Sequence, residues 1–120
     1  MNAEATSDPN CVFCKIVAGA IPAQFVHRED EVIVINDVSA QAPVHLLAIP
    51  AEHYATPSAF TASADPGLIA KVFSLAAKYG RERCAGGFRI VVNEGSDGGQ
   101  TVEHVHLHVL GGRRMNWPPG

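Results

Sequence analysis

The sequence predicts an α+β domain: an antiparallel sheet of about five strands with one long and one short helix packed on one face. Three observations lead there. Five short runs have strand character, and they do not alternate regularly with helical segments. The links between neighbouring runs are mostly short, which favours antiparallel pairing over crossovers. One stretch near residues 64–87 carries an apolar stripe at helical period.

The elements follow in order. "CVFCKIVAG" holds a short helix ending at Gly19, with Pro22 blocking its continuation. "FVHRE" and "EVIVIND" form a strand pair turning around Glu29–Asp30–Glu31. "VHLLAIP" is a third strand. Its alternation puts His45, Leu47 and Ile49 on one face and Val44, Leu46 and Ala48 on the other. The long helix starts with Asp65 as N-cap and Pro66 in the first turn. Leu68, Ile69, Val72, Phe73, Ala76 and Tyr79 form its apolar stripe, Gly80 is a weak point, and Gly86–Gly87 stop it. "FRIVVN" and "VEHVHLHVL" are the last strands, joined by "EGSDGGQT", and the tail "RRMNWPPG" is irregular at its prolines.

With 120 residues the chain suits one domain, read as 11–120 after a polar, mobile N-terminal tail at 1–10. A net charge of −3 argues against a nucleic-acid-gripping protein. No apolar run is long enough to span a membrane, and the polar opening "MNAEATSDPN" has no signal-peptide pattern, so a cytoplasmic location is expected. Three cysteines exclude a complete disulfide framework. Cys11 and Cys14 form C-x-x-C, a metal clip or a redox pair, while Cys84 reads as packing.

The chemistry concentrates in "EHVHLHVLGG". His104, His106 and His108 alternate with Val105, Leu107 and Val109, so on a strand the rings share one face and the aliphatics pack on the helix. At about 3.3 Å per residue the outer rings sit about 13 Å apart, too far for one metal to take all three. His106, flanked on both sides, is the natural nucleophile, since a neutral imidazole can attack phosphorus. His27, beside Arg28 and Glu29, reads as structural. The preceding "NEGSDGGQT" can form an anion-binding nest with Asn93, Gln100 and Thr101 as neutral donors.

"HVHLHVL", "DVSAQAPVHLLAIP", "VVNEGSDGGQTVEHVHLHVLGGR" and the closing "WPPG" resemble the histidine triad nucleotide-binding proteins, specifically the Hint, purine nucleoside phosphoramidase-like branch. The resemblance runs from about Cys11 to Gly120. It implies a homodimer whose sheets run together, with Trp117 near the partner's site. It implies attack by His106 on the α-phosphorus of an adenosine phosphoramidate or aminoacyl-AMP, release of AMP by water, and no cofactor in that chemistry. His45 matches the fourth site histidine, which supports the proton relay. His108, Asn93 and Thr101, and more weakly Gln100, match phosphate and leaving-group contacts. Asp37 matches the ribose-binding acid, and Phe13, Ile16, Ile35, Val38 and Leu47 match the walls of a purine slot. Thr101 stands where serine is expected and Ile35 where phenylalanine is expected.

Some histidine triad proteins carry a structural zinc; here Cys11, Cys14, His53 and His104 match its ligands. The competing readings are a zinc hydrolase using His104 and His106 on one metal, a dinucleoside polyphosphate hydrolase, and a nucleotide-binding regulatory scaffold. For Cys11 and Cys14 the rival is a thioredoxin-like pair, but no βαβ pattern surrounds it.

Overall fold

The computed structural model describes residues 7–120. The elements are α1 (Val12–Val17), β1 (Phe25–Arg28), β2 (Val32–Asn36), β3 (Val44–Pro50), α2 (Pro57–Ser63), α3 (Pro66–Arg83), β4 (Phe88–Val92) and β5 (Leu107–Gly111). The five strands make one sheet in the order β1-β2-β3-β5-β4, antiparallel at every pairing. The expected α+β sheet is therefore the observed one. No helix is long and apolar enough to cross a membrane among the described residues.

Strand alternation separates two apolar clusters. Val32, Val34, Leu46, Ala48, Leu107 and Val109 face α3, where Leu68, Val72 and Ala76 complete the main core. Ile33, Ile35, Leu47 and Ile49 face the other way and are covered by Phe13 and Ile16 of α1. Helices thus lie on both faces, and the expectation of one helical face holds only for α2 and α3. The difference matters for function, because α1 covers only part of its face and leaves the rest open.

Four local expectations need correction. A third helix, α2, was not foreseen. Thr56 caps it by accepting the Ala59 N–H, Pro57 opens it, and Phe60 is its one buried residue. A helix with one anchor leaves no apolar period to read. Phe73 of the predicted stripe is 46% exposed, while Ala76 and Gly80 are buried. Gly80 is no weak point: a Cβ there would meet the Phe88 ring at 2.7 Å, so glycine lets α3 approach β4. Finally, β5 begins at Leu107, so residues 102–106 lie outside the ladder.

Of the predicted tail at 1–10, residues 1–6 lie outside the described residues. Asp8 and Asn10 form a turn in which the Asn10 N–H donates to Asp8 Oδ1 at 2.8 Å and the Cys11 N–H to the Asp8 carbonyl at 3.1 Å.

Candidate functional site

The open part of the α1 face is a cavity of about 880 Å³. Phe13, Ile16, Ile35, Leu47 and Val38 line it, and Val38 is fully exposed at the rim. Asp37, Thr101, His106 and His108 contribute its polar groups. The structure thus gathers nine of the sequence-predicted site residues around one space wide enough for a nucleotide-sized ligand.

Hydrogen bonds decide which ring nitrogen carries each proton. The His106 Nδ1–H donates to the His104 carbonyl at 2.7 Å. Its Nε2 therefore bears the lone pair. No buried side-chain nitrogen lacks a partner among the described residues, so this unpartnered Nε2 opens onto the cavity. Burial holds the His106 ring below the usual imidazole range, against the opposing pull of that carbonyl and of Asp37. The ring is neutral at pH 7.

His45 is buried, and its Nδ1 accepts the Gln41 backbone N–H at 3.0 Å. The proton accordingly sits on Nε2, which faces His108 Nδ1 at 2.9 Å and Asp37 Oδ2 at 3.3 Å. His108 accepts at Nδ1 and keeps its own proton on Nε2. Burial, then the His106 and His45 rings, push His108 down to about 4. Asp37, His45 and His108 lie close enough to suggest a cation site. The Gln41 bond argues against one, because His45 Nε2 is occupied by hydrogen.

His104 turns its ring the other way. It is fully buried, its Nε2–H donates to the Pro50 carbonyl at 2.8 Å, and its Nδ1 faces Cys11 Sγ at 3.3 Å, Cys14 Sγ at 3.6 Å and His53 Nδ1 at 3.2 Å. Cys14 Sγ lies 3.4 Å from His53 Nδ1. A tetrahedral zinc with Zn–N near 2.0 Å and Zn–S near 2.3 Å requires N–N edges of about 3.3 Å and N–S edges of about 3.5 Å. These four distances lie within about 0.3 Å of those edges, and all four donor atoms lie within 4.8 Å of one another. Both sulfurs also accept a backbone N–H at 3.4 Å, Cys11 from Cys14 and Cys14 from Asp8, as metal thiolates commonly do. Without a cation, burial raises the Cys11 thiol. Cys11, Cys14, His53 and His104 are thus the residues that could hold a metal. Because His104 presents Nδ1 to the thiols and His106 presents Nε2 to the cavity, the two do not converge on a shared catalytic metal.

Asn93 and Gln100 do not line the cavity. Asn93 Nδ2 donates to the Gly98 carbonyl at 2.7 Å. Gln100 Oε1 accepts the Gly95 N–H at 3.1 Å, and its Nε2 donates to the carbonyls of Ala55 at 2.6 Å and Val102 at 3.0 Å. Both side chains hold the glycine loop in shape. Gly98 is required there, since a Cβ would lie 2.2 Å from the Glu94 carbonyl oxygen. Two contributors escaped the sequence reading. Gln41 acts through its backbone, which has no side-chain signature. Glu94 anchors the loop by accepting the N–H and hydroxyl of Ser58 at 2.8 and 2.9 Å, bonds that hold its carboxyl below the usual range. Its partner lies in the unforeseen α2.

Residues 18–115 match the family model described as the HIT domain. The chain is 39% identical over 122 residues to the adenylylsulfatase HINT1 of Arabidopsis thaliana, covering 98% of this chain and 82% of that protein. It is 40% identical over 113 residues to a 14 kDa zinc-binding protein of Brassica juncea, covering 91% and 98%. The crystal structure of a HIT family hydrolase from Legionella pneumophila Philadelphia 1 superposes with a TM-score of 0.85 at 44% identity, covering 92% of this chain and all of that one. Domain model, relatives and fold agree, and the chain belongs to the HIT family.

Proposed function

We propose that this protein is a nucleotide hydrolase that releases AMP from adenosine 5′-phosphoramidate or aminoacyl-AMP conjugates through a nucleotidyl-histidine at His106. One observation carries the reading: His106 Nδ1–H is held by the His104 carbonyl, leaving Nε2 as an unprotonated nitrogen facing the cavity. In the first step the Nε2 lone pair forms a bond to the α-phosphorus. With a phosphoramidate the P–N bond breaks, and its electron pair departs with the amine, which takes a proton from water; with an aminoacyl-AMP the P–O bond breaks, and its electron pair departs with the carboxylate. In the second step water attacks phosphorus, the P–Nε2 bond breaks with its electrons returning to His106, and a proton leaves with solvent. The products are AMP and the amine, or AMP and the amino acid from an aminoacyl-AMP.

The other residues serve that displacement. His108 Nε2–H donates to a non-bridging phosphate oxygen, where fixed donors stabilise developing charge. His45 keeps the His108 proton on that nitrogen, and the Gln41 N–H keeps His45 in its tautomer. Thr101 supplies a hydroxyl to the phosphate. Asn93 and Gln100 shape the loop that presents Thr101. Asp37 takes the ribose hydroxyls, and Phe13, Ile16, Ile35, Leu47 and Val38 sandwich the purine. The Arabidopsis relative's name favours a second leaving group: the same attack on adenylyl sulfate would expel sulfate.

Cys11, Cys14, His53 and His104 are assigned a structural zinc that ties α1 to the sheet, with no cofactor in the chemistry. A homodimer is proposed as well, supported by β4 lying at a sheet edge and by Trp117 being 82% exposed. The domain is assigned to residues 11–120, with the protein in the cytoplasm.

Trapping tests the function. The protein is mixed with labelled adenosine phosphoramidate, quenched within one turnover and mapped by mass spectrometry. An acid-labile adenylyl group on His106 is the expected result. Turnover without label on any histidine would overturn the mechanism. Adenylyl sulfate and diadenosine polyphosphate in the same assay rank the leaving groups.

A further inference from the structure

Phe13 belongs to both histidine sites. It lies between Cys11 and Cys14 in the sequence. Its ring meets the His104 ring edge-on at a centroid distance of 5.7 Å and the His106 ring at 5.1 Å. Phe13 also lines the cavity, as do its α1 neighbours Val12 and Ile16. α1 has only six residues, far short of what an isolated helix needs to persist in water. Its order must come from tertiary anchors. Two of those anchors are cluster donors: Cys11, its N-cap, and Cys14, one of its three buried residues. On the other side, the attacking ring of His106 is pinned by the backbone carbonyl of His104, whose own ring is a third donor. One wall of the cavity and the orientation of the reactive ring therefore hang on the same four groups.

We propose that metal binding at Cys11, Cys14, His53 and His104 is thermodynamically coupled to nucleotide binding in the cavity, with Phe13 as the positioning residue that joins them. The inference rests on the reading of the cavity as a nucleotide site. A cation held by the four donors stabilises α1 in place and with it the contact of Phe13 with His106. A nucleotide base resting on Phe13 and Ile16 orders the same helix from the other side. The ordering entropy is lost once for two ligands, so each tightens the other. Linkage requires the two effects to be equal.

The test uses zinc and AMP and needs no turnover. AMP affinity is measured by calorimetry on zinc-loaded and metal-stripped protein. Separately, zinc affinity is measured on loaded protein by chelator competition, with and without saturating AMP. The expected result is a tightening of about tenfold in each direction, with matching factors. If stripping unfolds the chain by circular dichroism, the competition arm on loaded protein decides alone. Phe13→Ala should still bind one metal, seen in the cobalt–thiolate absorption, but its coupling factor should fall close to one. Phe13→Tyr, which keeps the ring, should restore it. Zinc retention indifferent to AMP, or an undiminished factor in Phe13→Ala, overturns the coupling alone. An absence of any AMP binding overturns both the coupling and the nucleotide reading.

Discussion

His104 and His106 are two residues apart and share a contact with Phe13, yet they face different chemistry. The His104 ring gives Nε2–H to the Pro50 carbonyl and aims Nδ1 at two thiols and an imidazole. The His106 ring gives Nδ1–H to the His104 carbonyl and aims Nε2 at an open cavity. Both are buried, and burial lowers both, His104 to about 4. Burial therefore does not distinguish them. What separates a ligand-type histidine from a nucleophile-type histidine is which nitrogen a backbone carbonyl claims, and what the remaining lone pair then meets.

The largest effect that can break this comparison is at His106. His106→Ala should lower turnover of the phosphoramidate by roughly a thousandfold or more, with an unchanged circular dichroism spectrum. Appreciable residual activity would remove the distinction. The complementary change lies in the cluster. Cys14→Ser should cost zinc, read as metal per chain by mass spectrometry, and lower the melting midpoint by on the order of 10 °C. Chelation should reproduce that loss in wild type. A zinc-free chain with the wild-type midpoint would show that the four donors are ordinary packing.

A smaller effect tests the third ring. His108 is pushed down to about 4 in the folded protein, while an unfolded histidine titrates near 6.5. Between those values the unfolded chain binds more protons. The stability tied to a neutral His108 is thus complete above about pH 6.5 and is lost as pH falls towards 4. Other groups titrate in this window too, so the informative quantity is a difference between denaturation curves. His108→Asn should show a shallower fall in stability than wild type, and equal slopes would mean that the ring is not held neutral. The smallest effect sharpens the contrast from outside. His27 lies off the cavity, with Nδ1 3.0 Å from the Tyr79 hydroxyl and Nε2 3.1 Å from Glu29. His27→Ala should leave kcat/KM unchanged and destabilise by about 1 kcal/mol. A catalytic defect there would undo the division between site and scaffold.

Much of this arrangement was legible in the chain. The alternation in "VHLLAIP" correctly separated Leu46 and Ala48, towards α3, from Leu47 and Ile49, towards α1. Asp65 caps α3 as its position suggested, accepting the Gly67 N–H at 2.8 Å. C-x-x-C, His53 and His104 do converge. The unread parts share a cause. Gly80 looks weak in a helix until the Phe88 ring is placed beside it, and Gln100 looks like a ligand contact until its amide is found bonded to Ala55 and Val102. Each depends on a contact between elements or on the path of a loop, which residue type and period do not record.

By itself the sequence determined the periodic elements, the antiparallel class, and the pool of histidines and thiols available for chemistry, because period and composition are local properties. Only the tertiary structure decided which imidazole nitrogen keeps its proton, which amides are consumed inside the protein, and which face stays open. Those outcomes depend on how the backbone turns and on which groups of other elements pack beside each ring; even the carbonyl that claims His106, two residues away, leaves no trace in the identity of the residue that supplies it.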